Sequence, residues 1–188
     1  MVRRVIATGL VALMTLAAAT LAGAQRNQRQ VIRDVQREVS RYSFYTVFDD
    51  VNIEVSEAGV LTLSGSVTQP YKKDDIGRRA SSVPGVGEVH NILKVLPVSH
   101  FDDELRYKIA RAIYGNSAFW QYAARPDPPI HIIVDRGHVT LTGVVDSEVD
   151  RQLARTLAWQ FGAFSVTNEL KTTAETRALE RALQSEIS

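Results

Sequence analysis

The chain has no cysteine. That excludes disulfides, thiol catalysis and any cysteine-based zinc site, and it leaves no acceptor thiol for a lipid anchor after the apolar N-terminal run. Catalytic motifs are missing as well: there is no G-x-S-x-G elbow and no P-loop. The four histidines, His90, His100, His131 and His138, show no H-E-x-x-H or other close ligand spacing. His131 and His138 are expected on the outer face of one hairpin, with no third ligand in evidence. No two carboxylates fall together in a predicted apolar pocket of the kind that separates an acid from a base. No catalytic residue, metal, cofactor or small-molecule substrate is therefore assigned. Neither sign of charge is in excess: 22 Lys and Arg face 21 Asp and Glu, a net charge of +1. Such a balance argues against a nucleic-acid partner.

Long apolar runs are confined to one place. Arg3 and Arg4 precede a stretch from Val5 to Leu21 that is interrupted only by Thr8, Gly9, Thr15 and Thr20. Ala22-Gly23-Ala24 comes next, a small-residue site of the A-x-A kind. The pattern predicts a signal peptide over 1–24, cleaved after Ala24, and export to the periplasm. The other reading is an uncleaved anchor, since about 17 residues just span a thin bilayer. Loss of Arg3 and Arg4 would leave 20 basic against 21 acidic residues.

Beyond this segment the chain carries an internal repeat. Val51-Asn52-Ile53-Glu54-Val55 alternates apolar and polar, Gly59 marks a turn, and Leu61-Thr62-Leu63-Ser64-Gly65 alternates again. Ile130-His131-Ile132-Ile133-Val134, Gly137 and Val139-Thr140-Leu141-Thr142-Gly143 repeat the figure with one residue fewer in the turn. Alternation on both sides of a glycine turn reads as a hairpin with one buried face. Upstream, Val31, Val35 and Val39, and again Leu105, Ile109 and Ile113, form helical stripes, the second with Asp102 or Asp103 as its expected cap. Downstream, Ile76 and Ala80 match Leu153 and Leu157 on a second helix. Gly85, Val89, Asn91 and Leu93 then match Gly162, Val166, Asn168 and Leu170. Recurrence of the asparagines suggests that they hold a backbone group near a strand end. Each unit reads helix, strand, strand, helix, strand. The expected fold is α+β: two tandem αββαβ two-layer domains, each a three-stranded sheet with two helices on one face and a parallel pairing across the helical crossover. The units are placed at 28–96 and 101–172, and an amphipathic helix over 173–188 carries Leu179, Leu183 and Ile187. Thr172 and Glu175 are spaced for a capping box at its start.

These motifs, V-x-L-x-G and then G-V-x-x-V-x-N-x-L, resemble the BON domain family. The first copy carries them as Leu61-Thr62-Leu63-Ser64-Gly65 and Gly85-Val86-Gly87-Glu88-Val89-His90-Asn91. The second carries Val139-Thr140-Leu141-Thr142-Gly143 and Gly162-Ala163-Phe164-Ser165-Val166-Thr167-Asn168, departing at Ala163 where Val is usual. The resemblance implies periplasmic residence, the αββαβ fold, no enzymatic activity and a role in binding phospholipid or other envelope components, with osmotic or envelope stress as the setting.

Two features point to a surface that binds. Arg29, Arg33, Arg37 and Arg41 recur every four residues, offset by about 200° from the valine stripe, and so face solvent. They suit anionic headgroups, or else a solvated face on which Asp34 and Glu38 pair with them. Aromatics cluster after the first helix of each copy, Tyr42, Phe44, Tyr45 and Phe48 in one and Phe119, Trp120 and Tyr122 in the other. As loops, both segments could dip rings into a membrane interface. Equally, the rings could close the cores or the seam between domains. The expected function is a non-enzymatic envelope protein that contacts phospholipid surfaces. The alternative is an interaction module that meets another envelope protein, or a second copy, through the aromatic loops and the C-terminal helix.

Overall fold

The computed structural model describes residues 28–56 and 58–185. The expected leader, 1–24, and Ile187 lie outside them. The first unit runs α1 (28–40), β1 (Asp50–Val55), β2 (Leu61–Val67), α2 (Pro70–Ser81), β3 (Val89–Asn91) and β4 (Lys94–Val95). The second runs α3 (His100–Tyr114), a 3-10 turn (Ser117–Phe119), α4 (Trp120–Ala123), β5 (Ile130–Asp135), β6 (His138–Val145), α5 (Glu148–Ala158), β7 (Ser165–Asn168) and β8 (Lys171–Thr172). α6 (Thr173–Ser185) closes the described chain.

Both sheets share one plan. The hairpin pairs antiparallel, and the third strand returns parallel to the second, as β3 and β4 on β2 and as β7 and β8 on β6. The expected third strand is thus two short pieces either side of a bulge, and the asparagines explain why. Asn91 Nδ2 donates to the Lys73 carbonyl on α2, and its Oδ1 accepts from Leu93 N within the bulge. Asn168 does the same with Arg151 and Leu170. The backbone groups freed by the break therefore keep partners, which a buried edge requires.

The motif glycines before each crossover are needed for space. Gly65 and Gly143 have φ of 110° and 112°, and a Cβ on either would lie 2.3 Å from the Asp50 carbonyl oxygen or 1.9 Å from that of Pro129. The incoming strand's backbone occupies the place of a side chain, so any other residue would force the hairpin apart.

The valine stripe of α1 packs with Leu61, Leu63, Val67, Ile76 and Ala80 in one core; Leu105, Ile109 and Ile113 pack with Ile132, Leu141 and Val166 in the other. Two sequence expectations shift here. On α5 the fully buried residues are Ala154 and Ala158, while Leu153 and Leu157 lie half-buried at the flank. α5 has 11 residues against 12 in α2, so the repeat loses one position at the helix end rather than before it. The cap of α3 is neither Asp102 nor Asp103 but Ser99, whose hydroxyl accepts from Asp102 N. Asp102 is instead fully buried, and its carboxylate accepts from Arg136 N and Gly137 N, both at 2.8 Å. Arg136 and Gly137 form the two-residue β5–β6 turn with φ of 52° and 78°, the left-handed pair that a tight hairpin demands. Asp102 holds that turn to the helix.

α6 starts with the capping box: Thr172 N donates to Glu175 Oε2 at 2.7 Å and Glu175 N to Thr172 Oγ1 at 3.2 Å. The Thr172 N–H keeps the Glu175 carboxyl below its usual range. Beyond Thr176 the described side chains of α6 are exposed, Leu179 among them.

Candidate functional site

The arginine stripe stands where the spacing puts it. Arg29, Arg33 and Arg37 on α1 and Arg41 just past its end are all exposed, opposite the buried Val31, Val35 and Val39. Arg37 pairs with Asp34 at 2.7 Å and Arg41 with Glu38 at 3.7 Å, while Arg33 donates to Gln30. Four cations thus share the face with two carboxylates. The face keeps a positive excess, and two of its four cations are held in i,i+3 pairs of small energetic weight.

The membrane-facing reading of the aromatics needs correction, and the reading that they close the cores or the seam holds for most of them. Tyr42, Phe119 and Tyr122 are core residues, not surface rings. The segment 117–123 is no loop but a 3-10 turn running into α4, and Phe119 and Tyr122, three apart, share the inward side of that turn. Tyr122 Oη accepts from Asp146 N at 2.8 Å and donates to Asp150 at 3.0 Å, tying α4 to the start of α5. Burial raises its pKa to about 12, and burial together with the hydrogen bond to Asp75 does the same for Tyr42. Trp120 is exposed, as is Phe44, which stands edge-on to Tyr42 and Tyr71.

The rest of the first aromatic segment forms the seam between repeats. Tyr45 is half-buried against His131, their rings 5.6 Å apart. Phe48 joins the second core and meets Tyr107 edge-on at 5.2 Å. Ile132 N donates to the Val47 carbonyl at 2.7 Å, so this segment adds to the free edge of β5. Thr142 donates to Asp50 and Lys94 to Asp135 across the same seam. The outer face of the second sheet, where His131 and His138 are expected, is therefore partly covered by the first repeat. His131 belongs to this seam, whereas His138 is exposed with Nδ1 2.8 Å from Ser165 Oγ.

Sequence reasoning missed a third group. Trp159, Phe161 and Phe164, on the turn after α5, are 53%, 96% and 69% exposed, and Phe101 at the start of α3 is 48% exposed. Phe101 and Phe164 stack at 6.4 Å, and Phe164 lies over Gly137 of the β5–β6 turn. The signal was present in the repeat itself. The C-cap Ser82 corresponds to the C-cap Trp159, and Pro84 and Gly87 correspond to Phe161 and Phe164.

Each repeat also has an open groove between its second helix and its third strand, of about 430 Å³ in the first and 520 Å³ in the second. Asp74 and Arg78 line one, and Arg151, Arg155 and Thr167 the other. Arg151 is taken up by Glu148 and Glu175, which raise its pKa.

A family model described as the BON domain matches residues 27–97 and 102–174. No curated protein matches the chain. Among solved structures, one is described as the C-terminal domain of CdsD, the structural protein of the type III secretion system of Chlamydia trachomatis. It is 12% identical over 76% of this chain, with a TM-score of 0.32. The chain spans 65% of that structure's length. A second structure of CdsD is 13% identical over 82% of this chain and 98% of its own, with a TM-score of 0.29.

Proposed function

Because the chain belongs to the BON domain family, matched by both of its repeats, we propose that it is a non-enzymatic protein of the bacterial periplasm that binds phospholipid surfaces and supports envelope integrity under stress. The observation that carries this reading is the cationic face of α1. Its arginines are exposed and outnumber the carboxylates beside them, while the opposite stripe is spent in the core. A helix so arranged can lie on an anionic surface without unfolding anything, each cation near the surface contributing about 1 kcal/mol. Replacing Arg29, Arg33, Arg37 and Arg41 with Gln is expected to weaken flotation with anionic vesicles and to flatten its salt dependence. Equal flotation of the two proteins at every salt concentration removes α1 from the reading.

A second reading, that the chain docks on another envelope protein or on a second copy, is favoured by α6, which exposes Leu179 past its capped first turn. Mass measured across a concentration series tests self-association; crosslinking in the envelope tests a different partner.

A further inference from the structure

The two repeats act as each other's control. Both make the same turn after the second helix. Val86 N donates to the Val83 carbonyl in one and Ala163 N to that of Gln160 in the other, and Gly87 N reaches Gly59 where Phe164 N reaches Gly137. The first repeat builds this turn with Ser82, Pro84 and Gly87. The second builds it with Trp159, Phe161 and Phe164, each more than half exposed. The fold therefore does not need them. Largely exposed rings that the same turn does without in the first repeat, gathered at one end of a domain, mark an interaction site.

We propose that this turn, with Phe101 beside it, is the element that enters the phospholipid interface, so that the second repeat inserts while α1 supplies long-range attraction; this rests on the phospholipid reading above. Two observations select a bilayer as the occupant. The first is area. At roughly 150–250 Å² per ring, the exposed parts of four rings amount to about 600 Å², less than the roughly 800 Å² per partner of a standard protein interface. The second is charge. The turn from Trp159 to Ser165 carries no charged residue. The exposed polar side chains beside it on the neighbouring elements are Arg136 and His138 on the β5–β6 turn, and His100, Asp103 and Glu104 on the first turn of α3, where His100 lies 3.3 Å from Glu104. The carboxylates there are already engaged: Asp102 by the turn amides, Asp103 by Arg106, Asp135 by Lys94 and Glu104 by Lys108. An apolar tip bordered by paired carboxylates and by the exposed Arg136 fits acyl chains below anionic phosphates.

The geometry also names what stays dry. α3 has 15 residues, about 22 Å. Phe101 and the turn lie at its start, and Trp120 lies beyond its end. A surface that the turn enters end-on, at the start of α3, leaves Trp120 about a helix length behind it. The chain has two tryptophans, Trp120 and Trp159, so Trp120→Phe leaves Trp159 as the sole reporter and Trp159→Phe leaves Trp120. The test uses the protein as isolated, its N-terminus read by mass, with vesicles of phosphatidylglycerol and phosphatidylcholine carrying nitroxide-labelled lipid. The Trp159 reporter is expected to shift to the blue and lose at least half its emission to the nitroxide; the Trp120 reporter is expected to do neither. Bound protein with an unshifted, unquenched Trp159 overturns the insertion site and leaves the phospholipid reading standing. Failure of the wild type to bind any vesicle overturns both. A graft of the first repeat's residues, Trp159→Ser, Phe161→Pro and Phe164→Gly, keeps a turn known to form and is expected to weaken binding at least tenfold. If that graft instead converts an oligomer to a monomer and leaves vesicle binding unchanged, the patch is a contact between copies and the proposal fails.

Discussion

Lys72 donates to Asp49 at 2.6 Å with both side chains buried, and Asp150 occupies the corresponding place in the second repeat, where it accepts from Tyr122. In each case the third residue of the crossover helix reaches the segment that enters the hairpin. In the first repeat the contact is ionic. Asp49 also accepts from the backbone and hydroxyl of both Thr46 and Thr68, so the buried carboxylate is fully paired. In the second it is a phenol to a carboxylate.

Removing one partner of the ionic contact strands a charge in the core. Lys72→Met is expected to cost about 3–5 kcal/mol, and Asp49→Asn a similar amount, read as a fall in the urea midpoint. A double-mutant cycle should give a strong coupling between them. Additive losses would mean that the two side chains stabilise the fold separately.

The phenols make the fold sensitive to alkali. Tyr42 and Tyr122 have folded pKa values near 12 against 10.0 unfolded. A raised folded value means that their contribution is complete below about pH 10 and is lost as pH rises toward 12, because the unfolded chain releases the proton first. Urea midpoints should hold level to pH 9.5 and then fall. Tyr122→Phe should lower the midpoint at neutral pH by about 1–3 kcal/mol, since Asp146 N loses its acceptor, and make the alkaline decline shallower. A decline of unchanged slope in that variant would assign it to other groups.

The seam makes unfolding of the two repeats a joint event. Phe48→Ala removes a ring shared with the second core and should cost about 2 kcal/mol, part of the 3–5 expected for a fully buried ring, splitting one calorimetric transition into two. Lys94→Ala should change stability by under about 1 kcal/mol, as its ammonium is mostly solvated. Lys94 holds the Asp135 carboxyl below its ordinary value. That small contribution is therefore present above the usual carboxylate range and disappears as pH falls through the depressed value. Wild type and Lys94→Ala should converge in acid.

Asp102 is expected to control the β5–β6 turn on which Phe164 rests. Asp102→Ala leaves Arg136 N and Gly137 N without acceptors and should cost about 2–4 kcal/mol. Hydrogen exchange at those two amides should quicken far more than at Leu141, in the middle of β6. Uniform acceleration would show global destabilisation instead of a released turn.

Periodicity and the repeat were sufficient for element order, for the buried stripes of α1 and α3, and for the membership of both halves in one family. These depend on local preference and on which residues avoid water, and both are written in the spacing of Val31, Val35 and Val39 or of Leu61 and Leu63. The capping box of Thr172 and Glu175 was legible for the same reason: its partners are three residues apart. What only the tertiary structure decided involves partners far apart in sequence. Asp102 looked like a cap and became the anchor of a turn 34 residues on, because a buried carboxylate takes the amides that lack other acceptors. Phe119 and Tyr122 looked like loop aromatics and became core, since a short helical turn sends residues three apart to one side. Phe161 and Phe164 sit where the first repeat has Pro84 and Gly87, and only the packed turn reveals that nothing in the described chain covers Phe161. The sequence alone determined which side chains could leave water; the closure of α5, the β5–β6 turn and α3 on one another determined which of them did.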